Sequence, residues 1–553
     1  MTRAIDPTRD ALDPDDAAVA EFVALDPVNV LLTAAAGCGN TEALAVRTAR
    51  LVSSPHVQPQ QQVLAATFSI KARDNLRTRI RRELGLRKRG LVVVQNFHGV
   101  AARILLAHGR TIGLDPETLV VPQRRAHSAR QAQAGITWAN RDQVEAVLRS
   151  AKGSGQSDEE VLATLEAAGN RVALTYERLL RSENAIDFED LLRHAARILQ
   201  NDEVALGYRK HFAAVVVDEV QDLSLTQLRM VQHLGSDRIT YAGDIGQGIY
   251  SFAGADPEAV FEDISFRVTA RYTLTRSFRS SPGVLRAVNA LARLQSAEPL
   301  RCAEPDRWPE SATFSTQAFE NLQSEATAVV AHVLALLAPG ITVGVLARGG
   351  PRLRVIRSAL ENGQIAYTDW SAPLGDARTI QLLRDHASAA ISSAGEHGIP
   401  AVELLQDRCH QLLSEDDVDS RDAVAEACHA LRDLMAEHQI DLRSALARCR
   451  TAKPLEAAVG PGLHLLNAHL GKGQEFDHAV VVGLEEGILP DFRSVSDPAA
   501  VAEELRTLIV MVSRARGSLL VTRSADVPAP NGRPTWLREP SRWWHCLEGA
   551  TLL

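Results

Sequence analysis

Short runs of β-branched and small apolar residues alternate with longer stretches whose apolar positions recur every three to four residues, the pattern of an α/β chain with parallel strands. VNVLLTAA (28–35) reads as a buried strand entering a glycine-containing loop, and EALAVRTARLV (42–52) as the helix after it. QVLAATFS (62–69), LVVVQNFH (91–98), AAVVVDEVQD (213–222) and RITYAGD (238–244) read as further strands. A strongly basic helix is expected over 71–90, and mainly helical sequence over the hundred-odd residues between the third and fourth strands. A second α/β region opens near 272–291 and contains the strand ITVGVLAR (341–348). It turns helical from about 351 to 455, then resumes with strands in 462–484 and 518–524.

With 553 residues the chain is long for one core, so several domains are expected. Its net charge of −8 supplies no global attraction to nucleic acid, and any such surface has to be local. Aromatic residues make up only 5%, which gives weight to those in polar surroundings. None of the six cysteines forms a CxxC pair; Cys409-His410 and Cys428-His429 lie in amphipathic helical sequence, where packing is expected rather than metal ligation. No signal peptide and no apolar span of about 20 residues is evident, so a cytoplasmic protein without a membrane partner is expected.

The loop TAAAGCGNT (33–41) has the setting of a phosphate cradle: small residues between a strand and a helix N-terminus. Ala36, Gly37, Cys38, Gly39, Asn40, Thr41 and Glu42 would face the phosphates, with Thr41 placed to ligate Mg²⁺. A glycine-rich turn without ligand is an equal reading of this stretch alone. VVVDEVQD (215–222) shifts the balance, because Asp218 and Glu219 emerge together at the end of a buried strand. One carboxylate to hold Mg²⁺ and a neighbour to activate water is an economical arrangement for phosphoanhydride hydrolysis.

Taken in order, the motifs resemble those of the UvrD/Rep-like superfamily 1 (1A) DNA helicases. DEVQD (218–222) looks like the family's second motif, and AGDIGQGIYSFAGA (242–255) like its third. The resemblance implies that Gln247 senses the γ-phosphate and that Tyr250 and Phe252 stack on bases. TFSIKA (67–72) and NFHGVAARIL (96–105) resemble strand-contacting motifs, implying DNA contacts for Thr67, Phe68, Phe97 and His98, although core packing suits the last three equally. NAIDFEDLL (184–192) matches a further family segment. LTRSFRSS (274–281) resembles the fourth motif, which implies that Arg279 reaches the γ-phosphate from the second lobe. NAHLGKGQEFDHAVVVGLEEGILP (467–490) resembles the fifth, with His469 and Lys472 near DNA and Glu475 at the ribose. EELRTLIVMVSRARGSLLVT (503–522) resembles the sixth, with Arg514 as an arginine finger.

The implied fold is two RecA-like P-loop NTPase lobes, each with a mainly helical insertion. The expected boundaries are 1–100 and 186–272 for the first lobe around an insertion at 101–185. The second lobe is expected at 273–350 and 458–553, around a short insertion at 351–457. The implied activity is an ATP-dependent, 3′→5′ translocase or helicase on single-stranded or partly duplex DNA, with ATP and Mg²⁺ as cofactors. Repair, recombination and phage defence are equally compatible settings, as is a nuclease or repair partner protein.

Several positions depart from the pattern. Asn40 stands in place of the loop lysine, a loss of about 2–4 kcal/mol of transition-state stabilisation, or roughly a hundred- to thousandfold in rate. In LDPDDAAV (12–19), which resembles the adenine-reading segment, Asp16 replaces a glutamine and cannot donate to a base. Ala253 and Ile509 also depart from the usual arginine and tyrosine. Because Asp218, Glu219, Gln247, Arg279 and Arg514 are all present, Asn40, engineered or natural, reads as one substitution in an otherwise competent ATPase. The alternative is a non-hydrolysing nucleic-acid-binding or regulatory subunit.

Overall fold

The computed structural model describes residues 13–551, except 56, 59, 123, 138–139, 154, 371–373, 376, 395–398, 414–423, 449, 452–458, 528–535 and scattered positions between 425 and 439. His429 and Cys449 fall outside the described residues. The chain divides into two compact units, Met1–Arg279 and Ser280–Leu553.

The first unit opens with helix α1 (Pro14–Ala24), then alternates strands and helices: β1 (Val30–Ala34), α2 (Asn40–Val52), β2 (Gln62–Thr67), α3 (Ile70–Glu83), β3 (Val92–Asn96) and α4 (Phe97–His108). A helical block follows: α5 (Arg124–Gln133), α6 (Arg141–Ala151), α7 (Asp158–Ala167), α8 (Arg171–Ser182), α9 (Phe188–Leu199) and α10 (Asp202–His211). The sheet resumes with β4 (Phe212–Val217), α11 (Leu225–Gly235), β5 (Ile239–Gly243), α12 (Pro257–Arg267) and β6 (Ala270–Leu274). Six parallel strands lie in the order β3-β2-β4-β5-β1-β6. Helices cover both faces, so β4 is buried along its whole length, as its unbroken apolar run requires. Arg47 on α2 is fully buried and staples the layers, donating to Thr240 Oγ1 at 2.9 Å and to the carbonyls of Phe22 and Leu25 at the end of α1.

The basic helix is shorter than the sequence pattern suggests. α3 stops at Glu83 and a separate 3₁₀ segment, Leu86–Leu91, follows Gly85. Leu84, in extended conformation, ends the helix, and glycine does not favour its continuation.

The second unit carries a seven-stranded sheet with the main order Thr368–Asp369, Gly462–Asn467, Thr342–Ala347, Phe476–Val482, Ala515–Val527, Trp536–Leu537; Phe314–Asn321 also pairs with Ala515–Val527. Pairing is parallel except at the Trp536–Leu537 edge. Helices Ala377–Ala394, Ile399–Leu412 and Leu442–Arg448 share a small core of their own, in which Cys409 and Cys428 are fully buried. Among the described residues no helix is long and apolar enough to cross a membrane.

Candidate functional site

Because the strands of the first sheet are parallel, their carboxyl ends share one edge, where ligands of open α/β sheets bind. β4, β5 and β1 are consecutive in that sheet. Their ends supply Asp218 and Glu219, Asp244 to Gln247, and the loop 35–41 respectively.

Gly37 and Gly39 have φ of +86° and +90°, the left-handed region that glycine enters without a Cβ penalty. Gly39 caps α2, so Asn40 and Thr41 form its first turn, with backbone N–H groups that an anion can accept. Gly37 also has a packing reason. A Cβ there would lie 2.5 Å from Arg279 Cβ and 3.2 Å from Ser277 Oγ, and Phe278 N donates to Gly37 O at 2.9 Å. Arg279 is the last residue of the first unit and lies against the phosphate loop within that unit.

Asn40 Nδ2 donates to Asp218 Oδ1 at 3.1 Å, and Thr41 hydrogen-bonds the same carboxylate. Asp218 is 2% exposed; burial first, and the neighbouring Glu219 second, push its carboxyl well above the usual carboxylate range. Thr41 hydroxyl and Asp218 carboxylate are hard oxygen donors, a set that fits Mg²⁺ with phosphate oxygens and water completing its shell. Asn40 Oδ1 is buried without a hydrogen-bond partner among the described residues.

Glu219 has φ +58°, uncommon for a non-glycine residue and often found where function demands it. Its N–H donates to Asp218 Oδ1 at 3.0 Å. Gln221 Nε2 donates to the Glu219 carboxylate, Asp244 N donates to Gln221 Oε1 at 3.0 Å, and Gln247 Nε2 donates to Asp244 Oδ2 at 3.0 Å. One hydrogen-bonded chain thus runs from Glu219 to Gln247.

Beyond Gln247 the aromatic loop begins. Phe68 stacks on Tyr250 with centroids 5.7 Å apart, Tyr250 meets Phe252 edge-on at 5.8 Å, and the Phe252 ring is exposed. Two other residues expected at the DNA are buried. Phe97 is a core residue with no exposed surface, since the first turn of α4 points it into the sheet-packed cluster. Thr67 is likewise wholly buried at the end of β2. His98 is partly exposed, with Phe188 edge-on at 5.6 Å, and burial lowers its basicity.

Glu42 faces α3: Arg79 donates to it at 2.8 Å and Arg82 also pairs with it. Arg73 and Arg77 pair with Asp74, so much of the basic helix is neutralised within the unit. Arg79 also contributes to the field at Asp218, favouring its charged form. Asp16 is engaged by Arg276, while Asp15 accepts from the backbone N–H of Thr275 and Arg276, each at 2.7 Å. Neither Arg276 nor the exposed Phe278 was singled out by a motif, although both flank Arg279 in LTRSFRSS.

In the second unit Arg514 is 1% exposed and donates to Val510 O and Ser513 Oγ, each at 2.8 Å, and to Gln474 O at 3.4 Å. This ties it to the segment carrying Glu475, whose side chain is exposed. His469 lies in the single-turn helix Ala468–Gly471, followed by half-buried Lys472.

Residues 17–265 match the UvrD/REP helicase N-terminal domain and residues 429–526 the UvrD-like helicase C-terminal domain. The ATP-dependent DNA helicase UvrD2 of Mycobacterium tuberculosis (strain ATCC 25618 / H37Rv) is 30% identical over 602 residues, covering 100% of this chain and 83% of that protein. DNA helicase II of Escherichia coli (strain K12) is 25% identical over 627 residues, covering 95% and 86%. UvrD1 of Mycobacterium leprae, an ATP-dependent DNA helicase, is 25% identical over 657 residues, covering 92% and 83%. The chain belongs to the UvrD/Rep helicase family.

Proposed function

We propose that this protein is an ATP-dependent DNA helicase that translocates on single-stranded DNA, 3′→5′ as the resemblance implies, in the cytoplasm and in DNA repair, recombination or phage defence, with hydrolysis slowed by Asn40. One observation carries this: the helix-capping phosphate loop, the Asp218–Glu219 pair and the stacked rings of Phe68 and Tyr250 share one edge of one sheet, linked through Gln221, Asp244 and Gln247. Thr41 and Asp218 would hold Mg²⁺, which when bound offsets charge on the phosphates. Glu219 would take the proton of the water that attacks the γ-phosphorus as the bond to the β–γ bridging oxygen breaks. Gln247, hydrogen-bonded in the chain to Glu219, couples the state of that phosphate to the aromatic loop. Arg279, packed on Gly37, would contact the phosphates. For Arg514 and Glu475 the roles stay those that the resemblance implies. Tyr250 and Phe252 would stack on bases without regard to sequence.

The departure at Asn40 keeps a second reading alive: a subunit that binds nucleotide and DNA without turnover, beside a nuclease or another repair or defence protein. ATPase activity with and without single-stranded DNA, measured on this chain and on Asn40→Lys, tests the motor reading. DNA-stimulated hydrolysis that rises with lysine supports it, and none in either protein overturns it.

A further inference from the structure

Residues 248–255, which contain the aromatic loop, carry no charged side chain, and Ser251, Phe252 and Ala253 are exposed. The loop closes on itself through its backbone: Ala253 N and Ala255 N both donate to Tyr250 O, at 2.9 and 3.2 Å. Gly254 sits between them with a φ of +89°. A Cβ there would lie 3.2 Å from Arg149 Cδ and 3.9 Å from Arg149 Nε; among the described residues nothing else beyond its chain neighbours would come within 4 Å. The stem of an arginine from the helical block thus lies against the one loop position that has no side chain to displace it. Phe68, stacked on Tyr250, holds the start of the loop, and Arg149 holds its end.

Arg149 stands in the last turn of α6. Three residues on, the buried Lys152 ties that helix end to α9 through Asp187 and Asp190, each at 2.7 Å. Two acids answer the charge of the guanidinium. Glu145, one turn back on α6, lies 3.7 Å from Nη1. Glu189, in the first turn of α9, is lifted above the usual carboxylate range by burial, and Arg149 is the foremost cation opposing that rise. A guanidinium compensated in this way is a weak ligand for phosphate, whereas its methylene stem keeps the contact with Gly254.

We propose that Arg149 is a positioning residue for single-stranded DNA: held at its head by Glu145 and Glu189, it fixes the end of the aromatic loop through its stem and so sets Tyr250 and Phe252 for stacking. The proposal deepens the DNA-binding reading above and rests on it. A loop of exposed, uncharged residues closing on a left-handed glycine has little packing of its own. A ring that has to be ordered as the strand arrives binds more weakly than one already fixed. The helical block thereby acts on the strand without touching it.

The test is fluorescence anisotropy of a labelled oligothymidine on the full chain, Arg149→Ala, Arg149→Lys, Phe252→Ala and the double variant Arg149→Ala/Phe252→Ala. Each is titrated at several salt concentrations, with thermal unfolding as the check on folding. Arg149→Ala is expected to weaken binding about tenfold. Arg149→Lys, which keeps Cδ and a cation, should restore most of it. In the Phe252→Ala background the same loss should shrink to about threefold at most, because the ring it positions is gone while Tyr250 keeps its stack on Phe68. The salt dependence should stay that of the unchanged chain; a slope shallower by about 0.7 would make Arg149 a phosphate ligand and overturn the proposal. Losses that multiply in full in the double variant, or an Arg149→Ala protein that folds and binds normally, overturn it too and leave Arg149 as a partner of Glu145. If Arg149→Ala does not fold, Arg149→Gln, which shortens the stem and drops the charge, is judged by the same outcomes. No single-strand binding by the unchanged chain, or binding that Phe252→Ala leaves intact, overturns the stacking reading and the proposal together.

Discussion

Asn40 Nδ2 donates to Asp218 Oδ1 at 3.1 Å, so the residue standing where the loop lysine is expected points at the carboxylate assigned to the metal. An amide places a neutral donor there and leaves the phosphates without the charge-assisted contact of an ammonium. Asn40→Lys is therefore expected to raise the single-turnover hydrolysis rate by roughly a hundred- to thousandfold. An unchanged rate would mean that the barrier is set elsewhere.

Gly37 combines a φ of +86° with side-chain neighbours, Arg279 and Ser277, that leave no room for a methyl group. Gly37→Ala should cost about 1–3 kcal/mol of stability and weaken nucleotide binding, because the loop has to move away from Arg279. Thermal unfolding and nucleotide titration measure both, and an unperturbed variant would show that this packing is dispensable.

Phe252 and Phe97 are expected to separate cleanly. Phe252→Ala should cut affinity for single-stranded DNA by about 1–3 kcal/mol, equally across sequences, without loss of stability. Phe97→Ala should destabilise the unit by about 3–5 kcal/mol, since it removes a ring from the core. Fluorescence anisotropy and urea unfolding report the two quantities, and the reverse assignment would refute the placement of these rings.

Lys152, the C-cap of α6, is buried and lies 2.7 Å from Asp187 and from Asp190 and 2.9 Å from Glu177. Removing the cation takes from Asp187 its one ion-pair partner among the described residues and leaves Glu177 and Asp190 with Arg181 and Arg193 alone, so Lys152→Met is expected to cost about 3–5 kcal/mol. Replacement without loss in urea unfolding would show that these acids are satisfied without it.

Burial lowers His127 and His194 from 6.5 to about 4 each, with Lys152 reinforcing the shift at His127 and Arg193 at His194. The folded state then binds fewer protons than the unfolded one between these values. Their contribution is complete above pH 6.5 and is lost as pH falls towards about 4. The unfolding midpoint should drop across that window, and less steeply when both histidines are replaced by asparagine. Parallel curves for the two proteins would exclude these residues as the cause.

Strand ends and motif order were legible because they are local. An apolar run closing on Asp218 and Glu219, or a glycine loop entering α2, puts chemistry and geometry within a few residues of one another. Core packing and ion pairing were not. Phe97 and Phe68 both follow a strand in similar sequence, yet α4 turns one into the core while the other stacks on Tyr250. The charge of α3 reads as a basic patch until Glu42 and Asp74 take up four of its arginines. Asp16 reads as an isolated carboxylate until Arg276 pairs with it from the far end of the unit. The sequence by itself determined the α/β class, the family and the residues at the sheet edge, since these depend on periodicity and short spacing. Only the tertiary structure decided which side chains face outward and which charges find partners, because those outcomes depend on contacts between segments far apart in the chain.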